Sequence, residues 1–136
     1  MKPSLYLANW SSPKHHGSGR RWTIMAKPRA WERGDGRCTV LLPPSTAIDT
    51  LDQLVALRKQ KRRDELLEAH YRSLFDKHLD AYAELLPPGA LMALVHGSRL
   101  ELVEDGDTFC CACSVAEAAA GRCHRSWAAE HLRRAG

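Results

Sequence analysis

Thiol groups are concentrated near the carboxyl end of the chain. The segment from Gly106 to Arg125 holds four of the five cysteines, which are Cys110, Cys111, Cys113 and Cys123. Thiolates bind zinc and iron–sulfur clusters, and a thiolate close to cations is also a good nucleophile. The segment therefore predicts a functional site, and its chemistry depends on where the chain places these thiols.

The elements around the cysteines are expected to place them where ligand sites form. The apolar run Thr108–Cys113 follows a turn-like acidic segment and predicts a buried strand. Ser114 can cap a short helix that ends at Gly121, and a second helix is predicted to begin near His124. Strand carboxyl ends bind ligands in open α/β sheets, whereas a helix amino terminus favours anions and lowers the pKa of a thiol.

One interpretation of the triplet Cys123-His124-Arg125 is a site for an anionic small molecule or a nucleotide-like ligand. Cys123 would be a thiolate nucleophile, with His124 as general base or proton donor and Arg125 holding the anion. Three consecutive residues cannot share one face of a helix, so the triplet must span the helix cap or include structural members. Catalysis is one version of this hypothesis, and simple binding is the other.

A loop that follows the first predicted strand, Leu5–Trp10, would complete such an anion site. It contains hydroxyls, two histidines, two glycines and three cations, but it matches neither the Walker pattern nor the dinucleotide glycine pattern. Backbone amides in a loop of this kind can hold an anion, and arginines can bind it with two hydrogen bonds. The alternative is a solvated basic loop. The candidate ligand-binding residues here are Ser11, Ser12, Arg20 and Arg21.

The second interpretation of the thiols is a metal site. Alternate residues of a strand share a face, so Cys111 and Cys113 should point together and away from Cys110. With Cys123 and His124 they form a candidate ligand set for zinc or an iron–sulfur cluster. No zinc-finger spacing is present. The simplest alternative is that these thiols are buried packing residues, since free cysteine is among the most buried residue types.

The distribution of charge suggests a third interpretation, a nucleic-acid-binding module. The net charge is +4, and five of the six residues from Arg58 to Arg63 are basic. Such a cluster can contact phosphates, and Trp22 and Trp31 in the basic amino-terminal region could stack on bases. A solvated basic surface is the plain alternative.

The remaining chain predicts an α/β fold. Strands are expected at Trp22–Met25 and Cys38–Leu42, with Cys38 as a small core residue, and residues 45–86 are predicted to be helical with an interruption at the basic cluster. On the helical stripe, His78 is expected to be a core or boundary histidine. Residues 90–96 are expected to form a helix that crosses to a parallel strand at 108–113. A hairpin between 99–103 and 108–113 is the alternative.

Length and composition favour one domain over residues 1–136 in a reducing compartment. The chain has 136 residues and an apolar content of 44%, which is typical of globular proteins. No apolar run is long enough to span a membrane, and no export signal follows Met1. Five cysteines, an odd number, favour reduced thiols and a cytoplasmic location over a disulfide framework.

The motif Gly121-Arg122-Cys123-His124-Arg125 and the preceding cysteine strand resemble the domain of unknown function 488 family. The resemblance implies an α/β fold in which a strand ends in cysteine and a helix begins at a Cys-His-Arg triplet. It brings no established activity, and whether the protein is an enzyme stays open. The thiol-rich cluster departs from the single strand cysteine that is usual in that family. We expect a small, mostly parallel sheet flanked by helices.

Overall fold

The computed structural model describes residues 5–11, 16–96, 99–113 and 121–135. Six strands of these residues form one mixed sheet in the spatial order β1-β6-β2-β3-β4-β5. The strands are β1 Tyr6–Asn9, β2 Arg21–Thr23, β3 Gly36–Arg37, β4 Met92–Val95, β5 Leu100–Leu102 and β6 Thr108–Cys111. The α/β class and the mostly parallel sheet are therefore confirmed.

Strand β6 lies at the centre of the parallel part of the sheet. It pairs in parallel with β1 on one side and with β2 on the other, and Asn9 lies opposite Cys111 in the first of these pairings. All four residues of β6 are buried. A strand covered on both faces needs apolar residues on both, which explains the unbroken sequence Thr-Phe-Cys-Cys. The cysteines at its carboxyl end are thereby held in the interior.

Three helices of the described residues pack beside this sheet: α1 Ile48–Lys59, α2 Glu65–Ala81 and α3 His124–Ala135. The predicted helical region of 45–86 is confirmed, and its interruption falls between α1 and α2. Lys61 adopts a positive φ of 56° there, and Asp64 caps α2 by accepting a hydrogen bond of 3.0 Å from the Leu67 amide. No helix of the described residues is long and apolar enough to cross a membrane.

Aromatic residues join α2 and α3 to the sheet. The ring centroids of Phe75 and Trp127 lie 5.9 Å apart, and both side chains belong to one buried cluster with Trp22 and Phe109. His78 lies at the boundary of this core, where its Nε2 is 3.0 Å from the Val40 carbonyl oxygen. The expectation of a hydrogen-bonded boundary histidine is met.

Residues 16–19 pack against β6 and the turn that precedes it. The Gly17 amide donates to Thr108 Oγ1 at 2.8 Å, and the Gly19 amide donates to the Gly106 carbonyl at 3.0 Å. A Cβ atom on Gly17 would lie 2.2 Å from the Gly106 oxygen, so only glycine permits this close approach. The glycines of this loop thus serve packing against the sheet.

The strand predicted at Cys38–Leu42 is wrong. Strand β3 comprises Gly36–Arg37, and residues Thr39–Leu41 form a 3-10 turn. The Cys38 amide still donates to the Thr23 carbonyl, but the Leu41 amide then folds back onto the Cys38 carbonyl at 3.1 Å. This turn buries the Leu41 side chain completely. Cys38 itself is buried in the core, as predicted.

The helix predicted at 90–96 is also wrong, because Met92–Val95 forms β4. Ala, Leu and Met favour helices, but pairing with β3 on one side and β5 on the other overrides that weak preference. The alternative hairpin is not formed either, since β5 pairs with β4 rather than with β6. The parallel arrangement of β6 is confirmed. The short helix predicted after Ser114 lies outside the described residues.

Candidate functional site: a three-thiol cluster beside a pocket

Three thiols converge where β6 ends and α3 begins. The Sγ atoms of Cys111, Cys113 and Cys123 all lie within 4.8 Å of one another, and those of Cys111 and Cys123 are 3.4 Å apart. Cys111 and Cys123 are buried, whereas Cys113 is partly exposed. A tetrahedral zinc ion with Zn–S bonds of 2.3 Å separates its sulfur ligands by about 3.8 Å. The spacing of the three thiols therefore suits a single metal ion.

The turn between Gly121 and α3 fixes the third sulfur. The Arg125 amide donates to Cys123 Sγ at 3.4 Å, and the Ser126 amide donates to the Cys123 carbonyl at 3.0 Å. The indole of Trp127 also donates to the Gly121 carbonyl at 2.8 Å. Two amides at the amino terminus of the helix thus donate to Cys123. Amides of a first helical turn have no partner within the helix, and Cys123 provides one for each of these two.

His124 adjoins the cluster without joining it. Its Nε2 is 2.7 Å from the Ile24 carbonyl oxygen, and burial lowers the pKa of its ring. A neutral ring that donates from Nε2 to this carbonyl ties α3 to the end of β2. Among the described residues, no fourth histidine, cysteine or carboxylate completes the three-thiol group.

Shared protons and a nearby guanidinium determine the charge of the cluster. Hydrogen bonds from Cys111 and Cys123, and then the charge of Arg58, hold the pKa of Cys113 below its usual value. The same sharing raises the pKa values of Cys111 and Cys123. Three thiols this close share their protons, so the first negative charge belongs to the group, and the Arg58 guanidinium stabilises it.

Arg58 reaches the cluster from α1. Its Nη1 lies 3.8 Å from Cys113 Sγ, and its Nη2 donates to the Arg122 carbonyl at 3.4 Å. The guanidinium therefore connects α1 to both segments that supply the thiols. Nothing in the local sequence distinguishes Arg58 from the other basic residues around it, so sequence reasoning did not assign it to the site.

A pocket of about 310 Å³ opens beside the thiols. Its wall is largely apolar, with Met25, Pro43, Leu51 and Val55 among the lining residues, and the three cysteines lie on one side of it. Tyr71 also lines the pocket, and its hydroxyl oxygen is fully buried without a hydrogen-bond partner. Burial, followed by the charges on Cys123 and Cys113, raises the pKa of this hydroxyl. Sequence reasoning placed Tyr71 in the helical stripe but gave it no part in a site.

Arg125 presents a buried cation on the other side of the triplet. The residue is 6% exposed, and its Nη1 is enclosed without a hydrogen-bond partner among the described residues. Burial raises the pKa of Cys110 and the hydrogen bond with Cys113 raises that of Cys111, and the charge of the nearby Arg125 guanidinium partly opposes both increases. The buried Oδ1 of Asn9, opposite Cys111 in the register, is unpaired as well.

Cys110 points away from the three-thiol cluster, as strand alternation predicts. Its Sγ lies 3.9 Å from His16 Nε2, and burial raises its pKa to about 12. Cys38 has the same character, with a pKa raised by burial to about 12. Both are packing thiols.

The predicted loop cations do not join the triplet. Arg20 lies at the amino end of β2, whereas His124 contacts Ile24 beyond the carboxyl end of that strand, and Arg20 Nη1 donates to Glu101 at 2.8 Å. Arg21 lies over the Trp10 ring at 5.7 Å, and Ser11 is exposed. Ser12 lies outside the described residues.

The residues predicted to contact nucleic acid differ in burial and in the contacts they make. Trp22 is fully buried, and its indole donates to Asp107 Oδ2 at 2.9 Å, whereas Trp31 is 58% exposed. In the basic cluster, Arg58 contacts the thiol site and Arg63 is paired with Glu68 at 2.6 Å. Part of this cluster therefore serves contacts within the chain.

Comparison of the chain with known protein families, with characterised proteins and with solved structures gave no match. The resemblance to the domain of unknown function 488 family stays a prediction that depends on the motif from Gly121 to Arg125.

Proposed function

We propose that this protein binds a single thiophilic metal ion, with zinc the first candidate, through Cys111, Cys113 and Cys123. The supporting observation is that their three Sγ atoms lie within 4.8 Å of one another. Thiolates so close repel one another unless a cation lies between them. A divalent ion removes that repulsion and displaces the remaining thiol protons.

The spacing of the sulfurs favours one ion over an iron–sulfur cluster. In a four-iron cluster each cysteine binds a different iron, so the cysteine sulfurs lie farther apart than the 3.4 Å between Cys111 and Cys123. A two-iron cluster needs four protein ligands, whereas the described residues bring three thiols together. Three protein ligands with a fourth position left for water or substrate are typical of catalytic zinc sites, whereas structural sites have four protein ligands. The pocket beside the thiols gives access to such a fourth position.

Metal analysis of purified protein tests this function. We expect about one zinc per chain after purification without chelators. Replacing Cys111, Cys113 or Cys123 by serine should weaken zinc affinity by at least about tenfold, since each substitution removes a soft ligand. Cys110→Ala is the control, because this thiol is as buried as those of Cys111 and Cys123 but faces away from the cluster. The proposal would be refuted if the wild-type protein took up no zinc, or if Cys110→Ala weakened zinc affinity as much as the three serine substitutions.

The second candidate function is binding of an oxyanion, such as a phosphate or carboxylate group, at Arg125. Its support is a buried guanidinium whose Nη1 has no hydrogen-bond partner among the described residues, at the amino terminus of a helix of 12 residues. Unpaired buried charges are rare because desolvation is costly, and helix amino termini favour anions. A nucleophilic role suits Cys113 better than Cys123, because Cys113 is partly exposed whereas Cys123 is buried.

Titration with inorganic phosphate and sulfate tests the second candidate. Arg125→Gln should abolish saturable binding, whereas Arg133→Gln, on the exposed side of the same helix, should leave it unchanged. Equal binding by both variants would assign the anion to general surface charge. The nucleic-acid hypothesis stays a prediction from the basic residues of the sequence.

A further inference from the structure

The pocket beside the three thiols is shaped for an apolar molecule. Its volume is about 310 Å³, and aliphatic side chains from α1 and from the segments after β2 form much of its wall. Lys27 is paired with Asp52 at 3.1 Å, so these two lining charges neutralise each other. The remaining polar groups of the lining are those of the three cysteines, Arg58, Tyr71, Arg122 and His124.

The hydroxyl of Tyr71 is the feature of this pocket that calls for a ligand. The side chain is 2% exposed, and its hydroxyl oxygen has no hydrogen-bond partner. Buried hydroxyls are nearly always hydrogen-bonded, so an unpaired one beside a pocket indicates a partner that enters the pocket. The ring packs edge-on against Trp127 at a centroid distance of 5.5 Å.

The charge of the cluster defines the head group that fits. A divalent ion bound by three thiolates has a net charge of −1, and the Arg58 guanidinium beside Cys113 offsets it. An anionic head group is therefore not repelled. An ion already held by soft sulfur ligands accepts a further soft ligand readily. A thiolate satisfies both conditions, and it can also accept a hydrogen bond from the Tyr71 hydroxyl.

We propose that the pocket binds a small organic thiol with an apolar body, whose sulfur takes the fourth position on the metal ion and accepts a hydrogen bond from Tyr71. This inference rests on the proposed metal function. On binding, the thiol loses its proton to solvent, its sulfur forms a bond to the metal, and the water that occupied the position leaves. No oxidant or reductant is needed.

Cobalt-substituted protein provides the test, because Co²⁺ absorption reports both the number of sulfur ligands and the geometry. The probes are butanethiol, butyrate and butanol, which have similar apolar chains of three or four carbons and differ in the head group. We expect butanethiol to increase the thiolate-to-cobalt absorption saturably, with cobalt still bound after gel filtration. Butyrate should bind at least about tenfold more weakly, and butanol should not change the spectrum.

Two pairs of variants distinguish the contribution of the hydroxyl to butanethiol binding from that of the apolar wall. Tyr71→Phe keeps the ring and should weaken butanethiol binding about three- to tenfold, whereas Tyr82→Phe, with an exposed hydroxyl, should not. Val55→Trp should fill the pocket and abolish thiol binding while cobalt binding persists. Leu66→Trp, at a position that is 85% exposed, is its control.

The outcomes distinguish this inference from the function on which it rests. Protein that binds no cobalt overturns both. Protein that binds cobalt with three thiolates but shows no response to butanethiol overturns the inference alone. Tighter binding of butyrate than of butanethiol would overturn the choice of a thiol, and equal affinity of Tyr71→Phe and wild type would overturn the role of the hydroxyl.

Discussion

The sulfur of Cys111 lies 3.4 Å from the sulfur of Cys123, although the first residue ends a central strand and the second precedes a helix. Both residues are buried, and amides at the start of α3 hold the second one in position. Because a strand and a helix terminus hold these two thiols, their separation is set by the packing of β6 and α3.

The five cysteines should react in a fixed order in metal-free protein. Cys113 is partly exposed and has a lowered pKa, so we expect it to be alkylated first at neutral pH. Cys38 is fully buried with a pKa raised to about 12, and it should stay protected until the protein unfolds. Mass spectrometry of peptides after timed iodoacetamide labelling measures the order, and early labelling of Cys38 would contradict it.

Removing Arg58 should make the Cys113 thiol less acidic. Its guanidinium lies 3.8 Å from the sulfur, and an opposite charge at such a distance lowers a pKa by about one unit or more. In Arg58→Gln, the midpoint of the alkylation rate against pH should therefore rise by about one unit. Arg62→Gln changes an exposed cation of the same cluster and should leave the midpoint in place. An unchanged midpoint in Arg58→Gln would exclude this electrostatic role.

His124 should make the metal-free protein less stable in mild acid. Burial lowers the pKa of its ring in the folded state, so below a pH of about 6.5 the unfolded chain binds a proton that the folded chain does not. As the pH is lowered through this range, the free energy of unfolding should decrease, and this group contributes up to about 1.4 kcal/mol per pH unit to the decrease. Urea unfolding between pH 7.5 and 5.5 measures the slope.

Two histidine variants isolate this contribution. His124→Gln should show a smaller loss of stability between pH 7.5 and 5.5, even though it also loses the hydrogen bond to the Ile24 carbonyl. His70→Gln, at an exposed position, should keep the wild-type slope. Equal slopes in wild type and His124→Gln would mean that the buried ring does not control the acid sensitivity.

Asp107 should be important for stability. It is 2% exposed, and its carboxylate accepts hydrogen bonds from the Arg20 amide, the Glu104 amide and the Trp22 indole. Asp107→Ala leaves these donors unpaired and should lower the free energy of unfolding by about 3 kcal/mol. Glu84→Ala, at an exposed carboxylate, should change it by less than about 0.5 kcal/mol. Thermal or urea unfolding distinguishes the two.

Local sequence patterns were enough to predict the parallel strand β6, the helix that begins at His124, and the separation of Cys110 from Cys111 and Cys113. Each depends on the twofold alternation of a strand or on helical spacing over a few residues. Strand β4 could not be predicted, because its helix-favouring residues are fixed by pairing with β3 and β5. Arg58 and Tyr71 reach the pocket only through the packing of α1 and α2, which leaves no local signal.

X-ray absorption spectroscopy of the zinc-loaded protein tests the proposed metal site most directly. We predict a first coordination shell with three sulfur atoms at about 2.3 Å and one lighter atom from solvent. The Cys113→Ser variant should show two sulfurs, and the Cys110→Ala control should still show three. A first shell of nitrogen and oxygen alone, or a sulfur number unaffected by Cys113→Ser, would contradict a zinc site formed by Cys111, Cys113 and Cys123.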